Sequence, residues 1–134
     1  MTKTTRDNLF MAMHGEAFAY AKYMLYAEHA RQNGNTELAQ LFEKTAKEEL
    51  FEHFREESEL LGLVGSDSEN LEDAIHGESY EVDTMYREFA EQAFSGGDKA
   101  AGDRFQEIRH DEMKHRDRFK EALAKSEKRP SRAA

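Results

Sequence analysis

The chain has 134 residues, a net charge of −9 with histidine neutral, and no cysteine. This length favours a single domain, and the acidic charge argues against nucleic acid or an anionic membrane as a partner. The lack of cysteine excludes disulfides, thiol catalysis and thiolate-bound metal centres. One proline, eight glycines and no apolar stretch long enough to span a membrane predict a soluble, cytoplasmic, all-α protein.

Turn-forming segments divide the sequence into four predicted helices. "RQNGNTE" separates the first from the second, "GLVGSDSEN" the second from the third, and "SGGDKA" the third from the fourth. The predicted helices cover about 4–32, 36–61, 70–94 and 98–125. The last residues are polar, basic and interrupted by Pro130, which predicts a flexible tail at 127–134 after a folded domain of residues 1–126.

An internal repeat relates the two halves of the chain. "NLFMAMHGEAFA" at 8–19 matches "NLEDAIHGESYE" at 70–81, 62 positions later. With a one-residue adjustment assigned to the hairpin loop, the offset becomes 63, which aligns Glu49 with Glu112 and Glu52 with His115. Two related helix hairpins predict a four-helix bundle.

The repeat also places a carboxylate near the middle of each helix: Glu16, Glu49, Glu78 and Glu112. His115 lies three residues after Glu112, on the same helix face. Buried carboxylates repel one another and lose their hydration, so cations must neutralise them. A Glu from two helices and a Glu-x-x-His from the others suit two ions of iron or manganese. The pattern therefore predicts a dinuclear metal site.

At these residues the sequence resembles the rubrerythrins, a branch of the ferritin-like superfamily. The resemblance runs from about Asn8 to Phe119 and is most specific in "HGEAFAYAKY", "HGESYEVDTMYREFA" and "DEMKHRDRF". It implies a ferritin-like bundle that binds two iron ions. The ligands that it implies are Glu16, Glu49, Glu78, Glu81, Glu112 and His115. It also implies that Tyr23 and Tyr86 line the diiron pocket as hydrogen-bond donors.

The chain departs from the rubrerythrin pattern on helix two. Rubrerythrins usually have Glu-x-x-His there, whereas this sequence reads "EELFEH", with Glu52 at the aligned position and His53 one residue later. Either Glu52 replaces the imidazole as a metal ligand, or His53 reaches the site from the i+4 position. The four cysteines of a rubredoxin-like domain are also missing. The resemblance therefore implies a separate electron donor, such as a rubredoxin-like or flavin protein.

The resemblance favours a non-haem diiron oxidoreductase that reduces hydrogen peroxide to water. Two ferrous ions can supply the two electrons that this reaction needs. Two alternatives stay open. With Glu52 as an additional carboxylate ligand, the site would favour dioxygen as the oxidant. Ferroxidase activity with iron handling, as in ferritin-like assemblies, is the other.

The segment between helices two and three predicts a homodimer. Helices two and three are parallel in a ferritin-like bundle, so their link must run back along the bundle, over about 30 Å. Eight or nine residues reach at most about 30 Å when fully extended. We therefore expect a domain-swapped dimer in which two copies of the chain exchange hairpins. Each site would combine Glu16 and Glu49 of one chain with Glu78, Glu81, Glu112 and His115 of the other.

Overall fold

The computed structural model describes residues 1–129 of the chain. Every regular element in this part of the chain is helical, which confirms the predicted all-α class. The helices form two compact units, one of residues Met1–Val64 and one that begins at Gly65. Each unit is a helix hairpin, as the repeat predicts. The predicted tail at 127–134 lies outside the described residues from position 130 onward.

The first hairpin pairs one long helix with an arm of three segments. The long helix is α1, Lys3–Gln32, and the arm contains α2, Thr36–Glu48, a first π segment, Glu49–Phe54, and α3, Arg55–Leu61. Gly34 forms the turn with a φ of 76°, a left-handed conformation that glycine adopts without strain. The Asn35 side chain then accepts a hydrogen bond from the backbone N–H of Leu38 and caps α2. These signals set the turn at the position that the sequence predicts.

The second hairpin has its composite arm first. This arm contains α4, Asp67–Tyr80, a second π segment, Glu81–Met85, and α5, Tyr86–Gly96, and it pairs with α6, Lys99–Glu127. Ser66 and Glu69 form a capping box, in which each side chain bonds the backbone of the other residue. This box starts α4 at Asp67, three residues earlier than predicted.

The two hairpins repeat one another in their packing as well as in their sequence. Near the turn of the first hairpin, Tyr23 and Phe42 have ring centroids 6.0 Å apart. The corresponding rings of the second hairpin, Tyr86 and Phe105, are 6.1 Å apart. The buried Ala27 of α1 likewise matches the buried Ala90 of α5. The duplication therefore extends to the side chains that hold each hairpin together.

The π segments explain why the offset between the halves changes from 62 to 63. The turn glycines Gly34 and Gly97 are already 63 positions apart, so the extra residue of the second hairpin precedes its turn. It lies in the second π segment, since a π-helix accommodates one more residue than the α-helix it interrupts. The prediction that the adjustment lies in the hairpin loop is therefore wrong. The first π segment adds a residue to the first hairpin, which returns the offset to 62 at His53 and His115.

Within residues 1–129, none of the helices combines the length and apolarity that crossing a membrane requires.

Candidate metal centre

Three side chains converge in the first hairpin, and we call this group the first half-site. It consists of Glu16 from α1 and Glu49 and His53 from the first π segment, with one donor atom of each residue within 4.8 Å of the others. The Nδ1 atom of His53 lies 2.9 Å from Glu49 Oε2 and 3.8 Å from Glu16 Oε2. Two carboxylates and an imidazole are thus close enough together to bind one metal ion.

A matching group, the second half-site, lies in the second hairpin. It consists of Glu78 from α4 and Glu112 and His115 from α6, with donor atoms again within 4.8 Å of one another. His115 Nδ1 lies 2.8 Å from Glu112 Oε2 and 3.7 Å from Glu78 Oε1. These distances agree with those of the first half-site to within 0.1 Å.

The first π segment is the reason that the two half-sites match. Glu112 and His115 are three residues apart on a regular α-helix, whereas Glu49 and His53 are four apart. The wider winding of a π-helix turns the chain less per residue, so the fourth residue returns to the face that carries the first. Glu52 is exposed and is not part of the half-site. The structure therefore brings His53, and not Glu52, to Glu16 and Glu49.

The acids of the second half-site are poorly accommodated as bare anions. Burial raises the pKa of Glu78 to about 7, and hydrogen bonding and charge repulsion from Glu112 act in the same direction. Burial also raises the pKa of Glu81, which lies beside the second half-site, with a further contribution from the negative charge of Glu112. The Glu78 Oε2 atom is buried and has no hydrogen-bond partner among the described residues. A cation bound beside these carboxylates would stabilise their ionised form and would also give the buried oxygen a partner.

In the first half-site, too, neighbouring groups shift the pKa values of the acids, and here they also shift the pKa of the imidazole. A hydrogen bond between Glu16 and Glu49 raises the pKa of Glu16 and lowers that of Glu49. The hydrogen bond to Glu49 in turn raises the pKa of His53. Glu57, which is not among the predicted ligands, adds negative charge near Glu16 and has a buried oxygen without a partner within the described range. Its spacing of four residues from His53 is the signal that could have identified it.

The two predicted tyrosines occupy equivalent positions in the repeat, and Tyr86 lies near the acids of the second half-site. Burial raises the pKa of Tyr86, and the charges of Glu81 and Glu112 raise it further, so the phenol keeps its proton. Tyr23 packs against Phe42 and Tyr26 in the first hairpin. The structure therefore places a tyrosine near the carboxylates of the second half-site, while Tyr23 packs in the aromatic cluster of the first hairpin.

The donor atoms of the two half-sites fit iron or manganese. Carboxylate oxygens with one imidazole in each group are the hard and intermediate ligands that these ions prefer. The orphaned oxygen of Glu78 and the raised pKa values show that the carboxylates, without a metal, lack sufficient compensation for their charge. The residues present therefore suit the group that they were predicted to bind.

Comparisons with known proteins agree with this chemistry. A sequence profile of the rubrerythrin family matches residues 7–123. A putative rubrerythrin of Methanocaldococcus jannaschii is 32% identical over 93% of this chain and 72% of its own length. Rubrerythrin of Porphyromonas gingivalis is 32% identical over 90% of this chain and 66% of its own length. The chain thus spans roughly two thirds to three quarters of these relatives.

Nigerythrin of Nitratidesulfovibrio vulgaris is also 32% identical, over 87% of this chain and 64% of its own length. A solved structure of nigerythrin in its fully reduced, all-ferrous state aligns with a TM-score of 0.47 and 29% identity, over 93% of this chain and 68% of that chain. The profile match and the similarity to these relatives show that the chain belongs to the rubrerythrin family, and that its four helical arms are of the ferritin-like four-helix-bundle class.

Proposed function

We propose that this protein is a diiron oxidoreductase that reduces hydrogen peroxide to water, with electrons from a separate donor. The observation that carries the proposal is the pair of matched carboxylate–imidazole half-sites in a chain of the rubrerythrin family. The residues that would hold two iron ions are Glu16, Glu49, His53, Glu78, Glu81, Glu112 and His115. A rubredoxin-like or flavin protein is the kind of donor that would restore the reduced state.

Two bound ferrous ions would supply the two electrons that cleave the O–O bond of peroxide. The contribution of the protein is to hold several negative charges in one place. Burial and the charge of Glu112 raise the pKa of Glu78, so its ionised form is disfavoured without a cation, and this supports cation binding here. His53 and His115 each present Nδ1 to the carboxylates, which adds one neutral ligand to each group.

The tyrosines would position the oxidant. Because burial and neighbouring acids raise the pKa of Tyr86, its hydroxyl stays protonated and can donate a hydrogen bond to a peroxide oxygen. We assign the same role to Tyr23, which occupies the equivalent place in the first hairpin. Peroxide reduction consumes two protons as well as two electrons, and a protonated hydroxyl beside the substrate is suited to stabilise the oxygen that gains charge.

Metal analysis and oxidation kinetics test this function. After loading with ferrous iron, the protein should hold about two ions per four-helix bundle, which is about two per chain, and stopped-flow mixing should show faster oxidation by hydrogen peroxide than by dioxygen. Glu112→Ala should lose iron. Glu28→Ala is the control, because Glu28 is exposed on α1 and is absent from both half-sites. Faster oxidation by dioxygen, or uptake of many ions per chain, would instead favour an oxidase or iron-handling role.

Dioxygen as the oxidant would be favoured by Glu52 as an additional carboxylate ligand in place of an imidazole. Glu52, however, is not part of the group that His53 forms with Glu16 and Glu49. We therefore retain peroxide as the proposed substrate.

Loading with manganese in place of iron distinguishes the two ions, because only iron should support rapid oxidation by peroxide.

A further inference from the structure

We infer that each metal centre is assembled from two copies of this chain, the first half-site of one copy facing the second half-site of the other. The inference rests on the proposed diiron function, because it concerns how the ligands of that centre come together. Its basis is the length of the connection between the two hairpins.

Neither half-site can serve as a complete dinuclear centre. Each offers two carboxylates and one imidazole, whereas bundles that hold two metal ions use ligands from all four helices. Each group is also open on one side, since the side chains of His53 and His115 are 54% and 45% exposed. A second hairpin must therefore cover each half-site and supply the remaining ligands.

The connection between the hairpins is short and well defined at both ends. Gly62, with a φ of 65°, ends α3, and the Leu63 N–H bonds back to the Ser58 carbonyl. The capping box of Ser66 begins α4, and Asn70 makes two further side-chain hydrogen bonds to the backbone of Gly65. Only residues 62–66 lie between the two helices. The connection is therefore shorter than the eight or nine residues expected from the sequence.

Five residues cannot return the chain along a ferritin-like bundle. Leu61 lies 12 residues beyond Glu49, about 18 Å along the helix, and Asp67 lies 11 residues before Glu78, about 16 Å. With helices two and three parallel and their glutamates at one level, the connection must span about 34 Å. The six Cα–Cα steps from Leu61 to Asp67 reach at most about 22 Å. The two half-sites of one chain therefore cannot meet in this bundle, but those of two chains can.

Two-fold symmetry makes the exchange reciprocal. If the first hairpin of one copy pairs with the second hairpin of another, the remaining two hairpins form the same pair. The dimer then contains two identical centres, each with ligands from both chains. The contacts are those of a closed single-chain bundle, so the exchange adds little cost beyond that of association.

Heterodimers with complementary defects test the inference directly. Two chains with different affinity tags are co-expressed, purified through both tags and loaded with ferrous iron. In the trans heterodimer, one chain carries Glu49→Ala and the other Glu112→Ala. Exchange places both defects in one centre and leaves the other intact, so we expect about half of the wild-type iron content. If each chain formed its own centre, both centres would be defective and iron would be lost.

The cis heterodimer is the matched control, with both substitutions in one chain and a wild-type partner. Exchange now distributes the defects over both centres, so iron should be lost. Centres formed within single chains would leave the wild-type chain intact and retain about half of the iron. The two designs carry the same substitutions, and the two assemblies predict opposite results for them.

A metal-free measurement separates this inference from the proposed function. Light scattering should give a mass near twice 15.5 kDa, and an insertion of about ten Gly/Ser residues after Val64 should yield monomers, because the longer connection can span the bundle. A wild-type monomer would overturn the exchange whatever the protein binds. A wild-type dimer that takes up no iron would overturn the diiron function and leave the exchange to be judged by the insertion variant.

Discussion

At the scale of single residues, the adjacent pair Glu52 and His53 decides the composition of the proposed centre. From the sequence, either residue could take the place of the histidine that rubrerythrins usually have on helix two. In the structure, only His53 lies within hydrogen-bonding distance of Glu49. His53→Ala should therefore lower the iron content and alter the optical spectrum of the loaded protein, because it removes the imidazole of the first half-site. Glu52→Ala should leave both unchanged. Equal effects of the two substitutions would contradict the assignment of His53.

The raised pKa of Glu78 predicts how the stability of the metal-free protein depends on pH. Between the ordinary value of 4.5 and the folded-state value of about 7, Glu78 is ionised in the unfolded chain and protonated in the folded one. Unfolding then releases a proton, so stability falls as the pH rises through this window. The melting temperature of the metal-free protein should decrease between about pH 5 and about pH 8.

Glu78→Gln is the control for this pH dependence. An amide of nearly the same shape cannot ionise, so the fall in melting temperature should become shallower. The iron-loaded wild-type protein should also lose the effect, because the cation favours the ionised carboxylate. A slope that is unchanged in Glu78→Gln would show that other groups cause it.

At the scale of secondary structure, the π segments adapt two different spacings to one geometry. Deleting Glu52 should convert the first π segment to regular α-helix and leave Glu49 and the histidine three residues apart, as in α6. We expect iron binding to be retained. Deleting Lys114 is the matched control, since α6 has no surplus residue there and the histidine would move to the i+2 position. Iron analysis of the two variants compares them, and equal losses would contradict this role of the π segment.

The second π segment is held in place by an arginine of α6. Arg109 Nε donates a hydrogen bond of 2.6 Å to the carbonyl of the buried Val82. Arg109→Met keeps the apolar stem but removes the donor, and we expect it to lower the free energy of unfolding by about 1–3 kcal/mol. Arg104→Met should change it by less than about 1 kcal/mol, because its ion pair with Glu107 is exposed. Urea denaturation measures both, and similar effects would argue against the bond.

At the scale of the whole molecule, metal binding and assembly should depend on one another. A centre with ligands from two chains links the association of those chains to iron, because a ligand stabilises the state that binds it. Removing iron with a chelator should lower the melting temperature and weaken the dimer, which stays the main species in light scattering but dissociates at a higher protein concentration than the iron-loaded dimer in sedimentation experiments. Glu112→Ala should resemble the chelated protein with or without iron. A dimer whose dissociation is independent of iron would contradict this linkage.

The sequence by itself determined the all-α class, the duplicated hairpins and most of the proposed ligands. These features are local or periodic: a glutamate recurs at the centre of each helix, and the spacing of Glu112 and His115 places both on one face. The start of α4 could also have been predicted, since Ser66 and Glu69 have the spacing of a capping box.

Only the tertiary structure brought His53, rather than Glu52, close to Glu16 and Glu49, and located the extra residue that changes the offset of the repeat. A π-helix differs from an α-helix by one hydrogen-bond step, and "ELFEHF" carries no residue that requires either. Whether this segment forms a π-helix or an α-helix depends on how the arm packs against α1, where Glu16 lies close to Glu49. The length of the connection was likewise settled by the caps at Gly62 and Ser66, because helix ends depend on which backbone groups find partners in the folded chain.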